Sequence, residues 1–501
     1  MLAACGDGPE RPQFLSPRER CLRTPSLQMG TLPVRTVGSG AANTCTEEAL
    51  QAAIQQGGLL RFSCGSDPLS IELTRELRVT KDVQIDGEDK IQLTSNFKSR
   101  IFRLDATGDP LPTLWLKNLT ITDAAADGMS HPNDPDAKGG AIRKDSGNLV
   151  VENCLLHGHR AAWWAKDASG GALYLSGPGD TLIINTSILG NAGANGAAIG
   201  VRDSSLRLDK SAIVSNIVFG VGGNPGDGGT GGGIDMRGSG ELLLCESTLW
   251  DNYGNSHGGG VYRQGTGSDS MALYGSSING NYVLPGRSVT RLGGGIYAES
   301  VDLAIEASSF YGNGASAGGG LYVGPGTQLW LLNSTLSQNV AEAGGGAGLL
   351  IDDLGGKIPT GSIINTTFAR NEITSLTGVG AAIYGGRNVS VRNSLFSSNQ
   401  VQVLLGGAQC SRPLVDGGRN MQTSSLWEDG SEDIKKAPCA ESVRRLEGDL
   451  GDFAYHGGPT QTQRVPPQSA AIGQGVDCPA TDQRGQKRPR QGCTLGAYEA
   501  L

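Results

Sequence analysis

Two adjacent carboxylates, Asp352 and Asp353, are the residues of this sequence that come nearest to a hydrolytic pair. Enzymes that hydrolyse glycosidic bonds place two carboxylates on either side of the bond. Enzymes that eliminate across it need an arginine or lysine base beside acidic calcium ligands. The neighbouring repeats contain no Asn-Thr-Asp, Gly-His-Gly or Arg-x-Lys motif that could supply a partner. We therefore expect both aspartates to lie in an exposed turn, with catalysis as the alternative.

A second cluster combines two histidines, His157 and His159, with two tryptophans, Trp163 and Trp164. Strand alternation would place both imidazoles on one face, where they could bind a metal. The indole rings could stack on sugars. The alternative is structural: a turn that ends at His159, followed by an insertion whose tryptophans cover the wall of the protein.

Three aspartates in polar insertions could ligate calcium through their oxygens. These are Asp134, Asp136 and Asp227. Their surroundings lack the D-x-D-x-D-G order of an EF-hand loop. Calcium therefore stays an open alternative, and no other cofactor is predicted.

The elements that must position these residues form a repeat. Each unit begins with Gly-Gly-apolar-Tyr, continues as a short alternating strand, and ends with Ser/Thr-x-apolar-x-x-Asn. Intervals between the closing asparagines run from 25 residues (Asn191 to Asn216) to 36 (Asn216 to Asn252). The full set is Asn191, Asn216, Asn252, Asn281, Asn313, Asn339, Asn371 and Asn399. Units built only of short strands and turns predict an all-β parallel β-helix, in which each unit forms one coil.

The residues that recur in each unit have structural interpretations. An asparagine that recurs once per coil can form an amide ladder, and it tolerates the left-handed conformation of a sharp turn. Residues 44–56 predict a helix, begun by Thr44 and ended by Gly57, that caps the open end of the solenoid. Long insertions at 124–138, 221–231 and 284–292 are either binding loops or tolerated additions.

Composition excludes several classes of protein. The chain has 501 residues and 78 glycines without a triplet period, which excludes collagen. Its net charge of −8 disfavours nucleic acid as a partner. No apolar run approaches the ~20 residues of a membrane helix. Because a solenoid grows along one axis, this length does not require several globular domains.

Ten cysteines without a CxxC motif favour disulfides in an oxidising compartment over a zinc site. The predicted pairs are Cys45–Cys64, Cys410–Cys439 and Cys478–Cys493. Cys154 and Cys245 fall within strands or their turns, so we predict that both are buried free thiols.

The string Leu2-Ala3-Ala4-Cys5 matches a bacterial lipoprotein cleavage motif, which makes Cys5 a predicted lipidation site. The basic and apolar regions of a signal peptide do not precede it, and so short a string can arise by chance. The Pro- and Arg-rich tract that follows, without periodicity, would suit a tether.

Four short motifs close the chain in a fixed order. They are Gly457-Gly458-Pro459-Thr460-Gln461-Thr462, Ala471-Ile472-x-x-Gly475, Asp482-Gln483-Arg484-Gly485-x-x-Arg488-Pro489 and Gly496-Ala497-Tyr498-Glu499. This set resembles the C-terminal signature of the choice-of-anchor Q domain family. The middle of the chain resembles the right-handed β-helix repeats of pectate-lyase-like and polymorphic outer-membrane proteins. The resemblance implies a secreted or surface-attached bacterial protein with no established activity.

The sequence thus predicts three regions: a lipoprotein signal remnant and tether (1–36), a right-handed parallel β-helix with its N-terminal capping helix (37–404), and an irregular flap with a disulfide-tied cap (405–501). The favoured function is that of a noncatalytic, monomeric bacterial lipoprotein, secreted or anchored at the outer membrane or cell surface, that serves in adhesion or in glycan and matrix binding. It would bind a polysaccharide or surface glycoprotein and contact the membrane only through a lipid anchor. The alternatives are a polysaccharide lyase or glycoside hydrolase on this scaffold, and a structural envelope spacer.

Overall fold

The predicted solenoid is present. The computed structural model describes residues 15–24, 27, 29–126, 135–162, 168–220, 228–285, 290–402, 408–424 and 431–500. Within them the chain winds into a parallel β-solenoid of about 12 turns. Its strands form one sheet of 35 strands and a second of 10. Among the described strands, only Phe453–Ala454 and Thr462–Gln463 pair antiparallel.

The larger sheet wraps around three faces of the solenoid. The first face follows the glycine pairs and contains Leu77–Val79, Phe102–Asp105, Ile142–Ser146, Leu173–Ser176, Ile199–Arg202, Ile234–Arg237, Leu321–Val323, Leu349–Ile351 and Ile383–Gly385. The second face contains Val34–Val37, Gly58–Phe62, Asn148–Glu152, Thr181–Ile184, Leu206–Asp209, Glu241–Cys245, Gln328–Leu332, Thr360–Ile364, Val389–Arg392 and Val415–Asp416.

The third face leads to each closing asparagine. Its strands are Leu69–Glu72, Leu155–His157, Ser187–Leu189, Ala212–Val214, Thr248–Trp250, Ser277–Asn279, Ser309–Tyr311, Thr335–Ser337, Thr367–Ala369, Leu395–Ser397, Met421–Gln422 and Arg444–Arg445. Long strands bend between faces: Val261–Tyr274 and Ile296–Glu306 from the first to the second, Val83–Thr94 and Thr113–Thr122 from the second to the third.

Ten short strands form the smaller sheet, at the corner after the third face. They are Ala125–Ala126, Arg160–Ala161, Ala192–Gly193, Ile217–Val218, Tyr253–Gly254, Tyr282–Val283, Gly314–Ala315, Val340–Ala341, Glu372–Ile373 and Gln400–Val401. The three long insertions connect this corner to the first face. All three therefore enter the solenoid at the same position in the coil.

Strand alternation fills the interior with apolar side chains. On the third face one inward position per coil is almost fully buried: Leu156, Ile188, Ile213, Leu249, Ile278, Phe310, Leu336, Phe368 and Phe396. Each contacts its counterpart in the next coil, and Phe368 and Phe396 stack with ring centroids 5.3 Å apart. One coil cannot exclude water from such a column, so the core depends on stacking.

The predicted amide ladder is confirmed. Each closing asparagine from Asn191 to Asn371 donates from Nδ2 to Oδ1 of the next, at 2.8–3.0 Å. Asn399 ends the series by donating to Gln409 Oε1 at 2.8 Å. The prediction was wrong about backbone conformation. The left-handed residue is the one before each asparagine, such as Ser215 and Asp251, because the amide must face inward after the turn.

The predicted capping helix spans Glu47–Gln56, and Leu50 and Ile54 are buried beneath it. Thr46, and not Thr44, is its N-cap: the Thr46 hydroxyl accepts from the Ala49 N–H at 3.3 Å. Thr44 instead lies in a preceding 3₁₀ turn, Ala42–Thr44. The helix is held to the first coils by the buried disulfide Cys45–Cys64 close to its start.

The N-terminal segment differs from the predicted tether. Residues Pro17–Leu22 form a short helix with a capping box between Ser16 and Glu19. Cys21 forms a disulfide with Cys245, 224 residues away, so the prediction of a free thiol at Cys245 was wrong. The physical reason is strand alternation: Leu244 faces the core, so Cys245 faces outward and is covered only because the N-terminal helix lies over it.

Stacking continues past residue 404, where we predicted its end, because Val415–Asp416, Met421–Gln422 and Arg444–Arg445 still pair with the sheet. Cys410–Cys439 joins two of these last coils, and Cys478–Cys493 ties the terminal region.

The remaining C-terminal residues run back along the third face as a lateral strap, defined here as residues 446–500. Its contacts with the coils include Thr335 Oγ1 donating to Gln483 Oε1 at 2.6 Å and Thr460 Oγ1 donating to the Ala307 carbonyl at 3.1 Å. Within the strap, Asp482 and Arg484 form an ion pair, at 2.7 Å. The cap therefore covers the side of several coils as well as the end. No helix among the described residues has the length and apolar character needed to cross a membrane.

Candidate functional site

The tyrosines of the repeat form a row on the outside of the first face. Tyr262, Tyr297 and Tyr322 occupy matching register positions in three successive coils. Their neighbours Val261, Ile296 and Leu321 face the core, so alternation turns the tyrosines outward. Adjacent rings stack with centroids 4.8 and 4.6 Å apart, and each residue is only 5–7% exposed. Each ring face is therefore covered by the neighbouring ring, and only the edge that carries the hydroxyl group can contact a ligand.

Two carboxylates accept from these hydroxyls. Tyr297 Oη donates to Glu299 Oε2 at 2.5 Å, and Tyr322 Oη donates to Asp352 Oδ2 at 2.8 Å. Asp352 Oδ1 also accepts from the Leu354 N–H at 2.9 Å. Both carboxylates are half-buried and point to the same side of the solenoid as the tyrosine row.

A glycine separates the two carboxylates. The strand register places Gly324 between Glu299 of the preceding coil and Asp352 of the following one. A β-carbon at Gly324 would lie 3.0 Å from Tyr322 Cε1 and 3.1 Å from Glu299 Cβ. Because Gly324 has no side chain, the Tyr322 ring and the Glu299 side chain pack directly over its buried backbone. Gly324 thus separates two carboxylates whose backbones are roughly 10 Å apart, at about 4.8 Å per strand. We call Glu299, Gly324 and Asp352 the Gly324 gap.

The tyrosine hydroxyls are fixed as donors. Burial, the neighbouring tyrosine and the hydrogen bond to Glu299 together raise the pKa of Tyr297 far above its usual value. Burial and the hydrogen bond to Asp352 do the same for the pKa of Tyr322. Both phenols therefore keep their protons at any ordinary pH, and a ligand in the gap would meet an acidic, hydrogen-bonded surface.

His257 lies beside the row. Its ring stacks on Tyr297 and Tyr262, with centroids 5.1 and 6.4 Å away. Burial, together with the nearby Arg237 guanidinium, lowers the pKa of His257 to about 4. The imidazole is therefore neutral near pH 7 and contributes an aromatic surface in place of a positive charge.

Charged groups towards the N-terminal coils of the first face are paired with one another. Asp235 is fully buried between Arg202 and Arg237, at 2.8 and 3.1 Å. Burial alone would raise the pKa of Asp235, but the two guanidinium groups outweigh it and hold the pKa below its usual range. Arg237 also lies over the Tyr262 ring, 4.9 Å from its centroid. This network makes the wall beside the tyrosine row rigid.

The predicted pair Asp352–Asp353 does not act as one site. The two side chains diverge, because Asp352 reaches the tyrosine row while Asp353 accepts from the Arg387 N–H at 3.1 Å. Asp353 is 7% exposed, so the prediction of an exposed turn was wrong for it. Its carboxylate is also 3.7 Å from Arg412 and holds the next coils together.

The predicted pairing of His157 and His159 on one face was also wrong. Gly158 has a φ of +72°, and the turn there breaks strand alternation. His157 is half-buried beside Thr122, with its Nδ1 3.3 Å from the Thr122 hydroxyl. His159 is buried: its Nδ1 accepts from the Ala124 N–H at 3.1 Å, and its Nε2 lies 3.0 Å from the Ile121 carbonyl. With both nitrogens engaged, His159 has no free lone pair for a metal.

The other predicted site residues divide between paired groups and positions outside the described residues. Asp136 lies 3.1 Å from Arg103 and 3.2 Å from Arg143, so its carboxylate is in an ion-pair cluster. In the described ranges no three His, Cys, Asp or Glu residues are close enough to hold a metal together. The predicted residues outside the described ranges are Cys5, Asp134, Trp163, Trp164 and Asp227.

Cys154 is a buried free thiol, as predicted. Its backbone N–H donates to Thr186 Oγ1 at 3.1 Å, and the Thr186 N–H donates to Ser211 Oγ at 3.2 Å. Cys154 is thus the first member of a second, hydroxyl ladder that the sequence analysis missed. Burial raises the pKa of Cys154 to about 12, which keeps the thiol protonated and unreactive.

The Gly324 gap was also missed, although its signal is in the sequence. The tyrosine of the Gly-Gly-apolar-Tyr motif marks the register, and Glu299 follows Tyr297 by two residues. The second carboxylate, Asp352, can be identified only when coils of unequal length are aligned at Tyr322. This alignment places Asp352 two coils after Glu299 on the same side of the solenoid.

Comparison with known proteins supports the fold. A family model described as a right-handed beta helix region matches residues 171–412. A search of curated proteins found no match. The matched region contains the tyrosine row, the Gly324 gap and all eight asparagines of the amide ladder. The family match and the continuous parallel solenoid together show that the chain has a right-handed parallel β-helix fold.

Proposed function

We propose that this β-helix protein binds glycans without cleaving them, and that the Gly324 gap is the binding site. The observation that carries the proposal is the pair of carboxylates, Glu299 and Asp352, set on either side of a residue without a side chain. Ligand sites typically fix their ligand with a small number of oriented polar groups. Here the carboxylates would accept from sugar hydroxyls, and the edges of Tyr297 and Tyr322 would form the floor.

The charge of the site favours neutral glycans. The chain carries a net charge of −8, and both polar groups of the gap are acidic. A uronate or sulfated chain would be repelled by like charges, whereas a hydroxyl-rich neutral chain would not. The proposed ligand is therefore a neutral polysaccharide or the neutral glycan of a surface glycoprotein.

We also propose a place outside the cytoplasm, in the cell envelope or the extracellular space. Four disulfides support an oxidising compartment. Lipidation of Cys5, membership of the choice-of-anchor Q family and a monomeric state belong to the same proposal. Mass spectrometry of the protein isolated from membranes, with and without Cys5→Ser, would test the anchor.

Calorimetric titration with a panel of neutral and uronate-containing oligosaccharides tests the glycan proposal. We expect a neutral ligand to bind, and Glu299→Gln with Asp352→Asn to weaken it at least tenfold, because two acceptors become amides. Asp67→Asn, an exposed aspartate on another part of the chain, is the matched control and should change nothing. Preferential binding of uronates, or full affinity in the double variant, would contradict the proposal.

A glycoside hydrolase is the second candidate function, favoured by the same two carboxylates. Inverting hydrolases hold their carboxyl groups about 6.5–9.5 Å apart, which is compatible with residues two coils apart. Incubation with the same panel, followed by measurement of reducing ends, separates the candidates. If the wild type produces reducing ends and Glu299→Gln does not, hydrolysis is favoured over binding alone.

A further inference from the structure

An exposed tryptophan lies on the third face, well away from the Gly324 gap around the coil. Val214, Trp250, Asn279 and Tyr311 occupy matching outward positions in four successive coils. They point outward because Leu249, Ile278 and Phe310 fill the core beside them. Trp250 is 55% exposed, an unusual exposure for so large an apolar side chain.

The lateral strap shows how such a ring is covered elsewhere in this column. Tyr311, two coils further on, stacks with Phe453 of the strap, with centroids 4.7 Å apart and ring planes 8° apart. The strap covers the next coil too, through Ser337 and Gln463 at 3.3 Å. Within the described part of the chain, Trp250 has no stacking partner of this kind. This column therefore contains one aromatic ring that the strap covers, Tyr311, and one that is exposed, Trp250.

Space and polar groups surround the open ring. Gly280 of the next coil lies beside the indole, where a β-carbon would come within 3.4 Å of Cδ1 and Nε1. Asp251 follows Trp250 directly, and its carboxylate accepts from Ser215 Oγ at 3.0 Å and from the Tyr253 hydroxyl. The hydrogen bond to Asp251, with burial, raises the pKa of Tyr253 to about 12, so this phenol stays protonated.

We propose that Trp250 is a second glycan contact, which takes one neutral sugar ring. The apolar C–H face of a pyranose would stack on the indole, and Asp251 and Tyr253 would bind hydroxyls at its edge. The inference shares a ligand class with the proposed function but uses a different face and different residues. A single ring next to a hydrogen-bonded carboxylate fits a sugar better than a protein, because a stable protein interface buries more than about 1,000 Å² and has an apolar centre.

The test compares Trp250→Ala, Trp250→Phe and the control Trp330→Ala, a half-buried tryptophan on the second face. Calorimetry with cellohexaose and with the hexamer of N-acetylglucosamine measures affinity and stoichiometry. We expect Trp250→Ala to remove one binding event or weaken it at least tenfold. Trp250→Phe should retain part of the affinity, and Trp330→Ala all of it. Equal far-ultraviolet circular dichroism spectra would show that the variants are folded.

The Glu299→Gln/Asp352→Asn double variant separates this inference from the proposed function. If only Trp250→Ala loses binding, the second contact is supported and the Gly324 gap is not. If only the double variant loses binding, the Trp250 contact alone is overturned. Two results would overturn the Trp250 inference outright. One is wild-type protein that binds neither hexamer at millimolar concentration. The other is a Trp250-dependent dimer in sedimentation, which would make a second copy of the chain the occupant.

Discussion

His159 occupies the position in its coil that asparagine holds in the next eight. Its backbone N–H donates to Asn191 Oδ1 at 2.8 Å, as each asparagine N–H donates to the next amide. Its ring then reaches back to Ile121 and Ala124 of the preceding coil. Burial lowers the pKa of His159 to about 3. A residue that the sequence offers as a metal ligand is therefore the start of the ladder.

This environment predicts an acid-dependent stability. The folded-state pKa of His159 lies below its ordinary value of 6.5, so between pH 6.5 and 3 only the unfolded chain binds a proton there. Stability should fall as the pH falls through this window, by up to about 1.4 kcal/mol per pH unit from this residue. His159→Asn should reduce the slope, as measured by urea denaturation at pH 4 and 7.

Asn388→Ala, an exposed position far along the chain with no titratable group, is the control for that experiment. Its slope should match the wild type. An unchanged slope in His159→Asn would show that His159 becomes protonated in the folded state, contrary to its hydrogen bonds.

The sequence predicted residue identities better than residue directions. Alternation placed His157 and His159 on one face and could not show that the turn at Gly158 points them in different directions. The partner of Asp352 was equally hidden. Asp353 is adjacent in sequence, yet Glu299 is the carboxylate on the same side, because only the register of three coils of unequal length relates the two.

At the scale of the element, two polar ladders flank the short third-face strands. The amide ladder follows each strand, and the hydroxyl ladder precedes it, as in Ser276 N–H donating to Ser308 Oγ at 3.1 Å. In most of these links the side chain accepts from a buried backbone N–H of the preceding coil. Two corners of the coil are thereby fixed by side chains that continue the parallel hydrogen-bond pattern through the turns.

Removing one amide should cost more than one hydrogen bond. Asn281 Oδ1 accepts from both the backbone and the side chain of Asn252, and its Nδ2 donates to the Leu249 carbonyl. Asn281→Ala would leave these buried groups without partners, at about 1–3 kcal/mol. We expect lower protection from hydrogen exchange in the coils on both sides of residue 281.

The exposed Asn388→Ala is the matched control, and its exchange pattern should equal that of the wild type. Loss of protection spread evenly over the whole solenoid, with no local maximum, would argue against a nearest-neighbour role for the ladder.

The ladders also show what a periodic sequence can and cannot reveal about an element. Asparagine spacing sufficed to predict a column, because identical groups one coil apart must meet. The left-handed conformation was assigned to the closing asparagine, whereas it belongs to the residue before it. Asparagine occurs both as a left-handed turn residue and as a ladder residue: Asn185 and Asn365 take the left-handed conformation, and Asn191 and Asn371 do not.

At the scale of the whole molecule, the described segments nearest the two ends of the chain lie on the outside of the solenoid. The N-terminal helix is bound to the second face by Cys21–Cys245 and by Arg207, which donates to the Cys21 and Arg23 carbonyls at 2.9 Å. The strap covers the third face. Repeat spacing predicted the solenoid, but neither attachment could be predicted, because the contacts join segments far apart that share no period.

The disulfide should decide whether the N-terminal helix stays attached. In Cys21→Ser/Cys245→Ser we expect trypsin to cleave at Arg18, Arg20 or Arg23 at least tenfold faster, because a six-residue helix is unstable alone. Mass spectrometry of timed digests measures the rate. The solenoid itself should keep its circular dichroism spectrum.

A double variant with Cys478→Ser and Cys493→Ser serves as the comparison, since it also lacks one disulfide but leaves the N-terminal helix fixed. Equal cleavage rates at the N-terminal arginines in wild type and in Cys21→Ser/Cys245→Ser would show that Arg207 and the apolar contacts suffice.

The position of Cys245 has a mechanical consequence. A pulling force applied to the N-terminus would pass through the sulfur atoms into the middle of the rod and would bypass the coils between Val34 and Glu241. Those coils would carry no tension while the bond is intact, and the rod would be drawn sideways. In a reducing environment the same force would reach the capping helix first and could unwind the solenoid from its end.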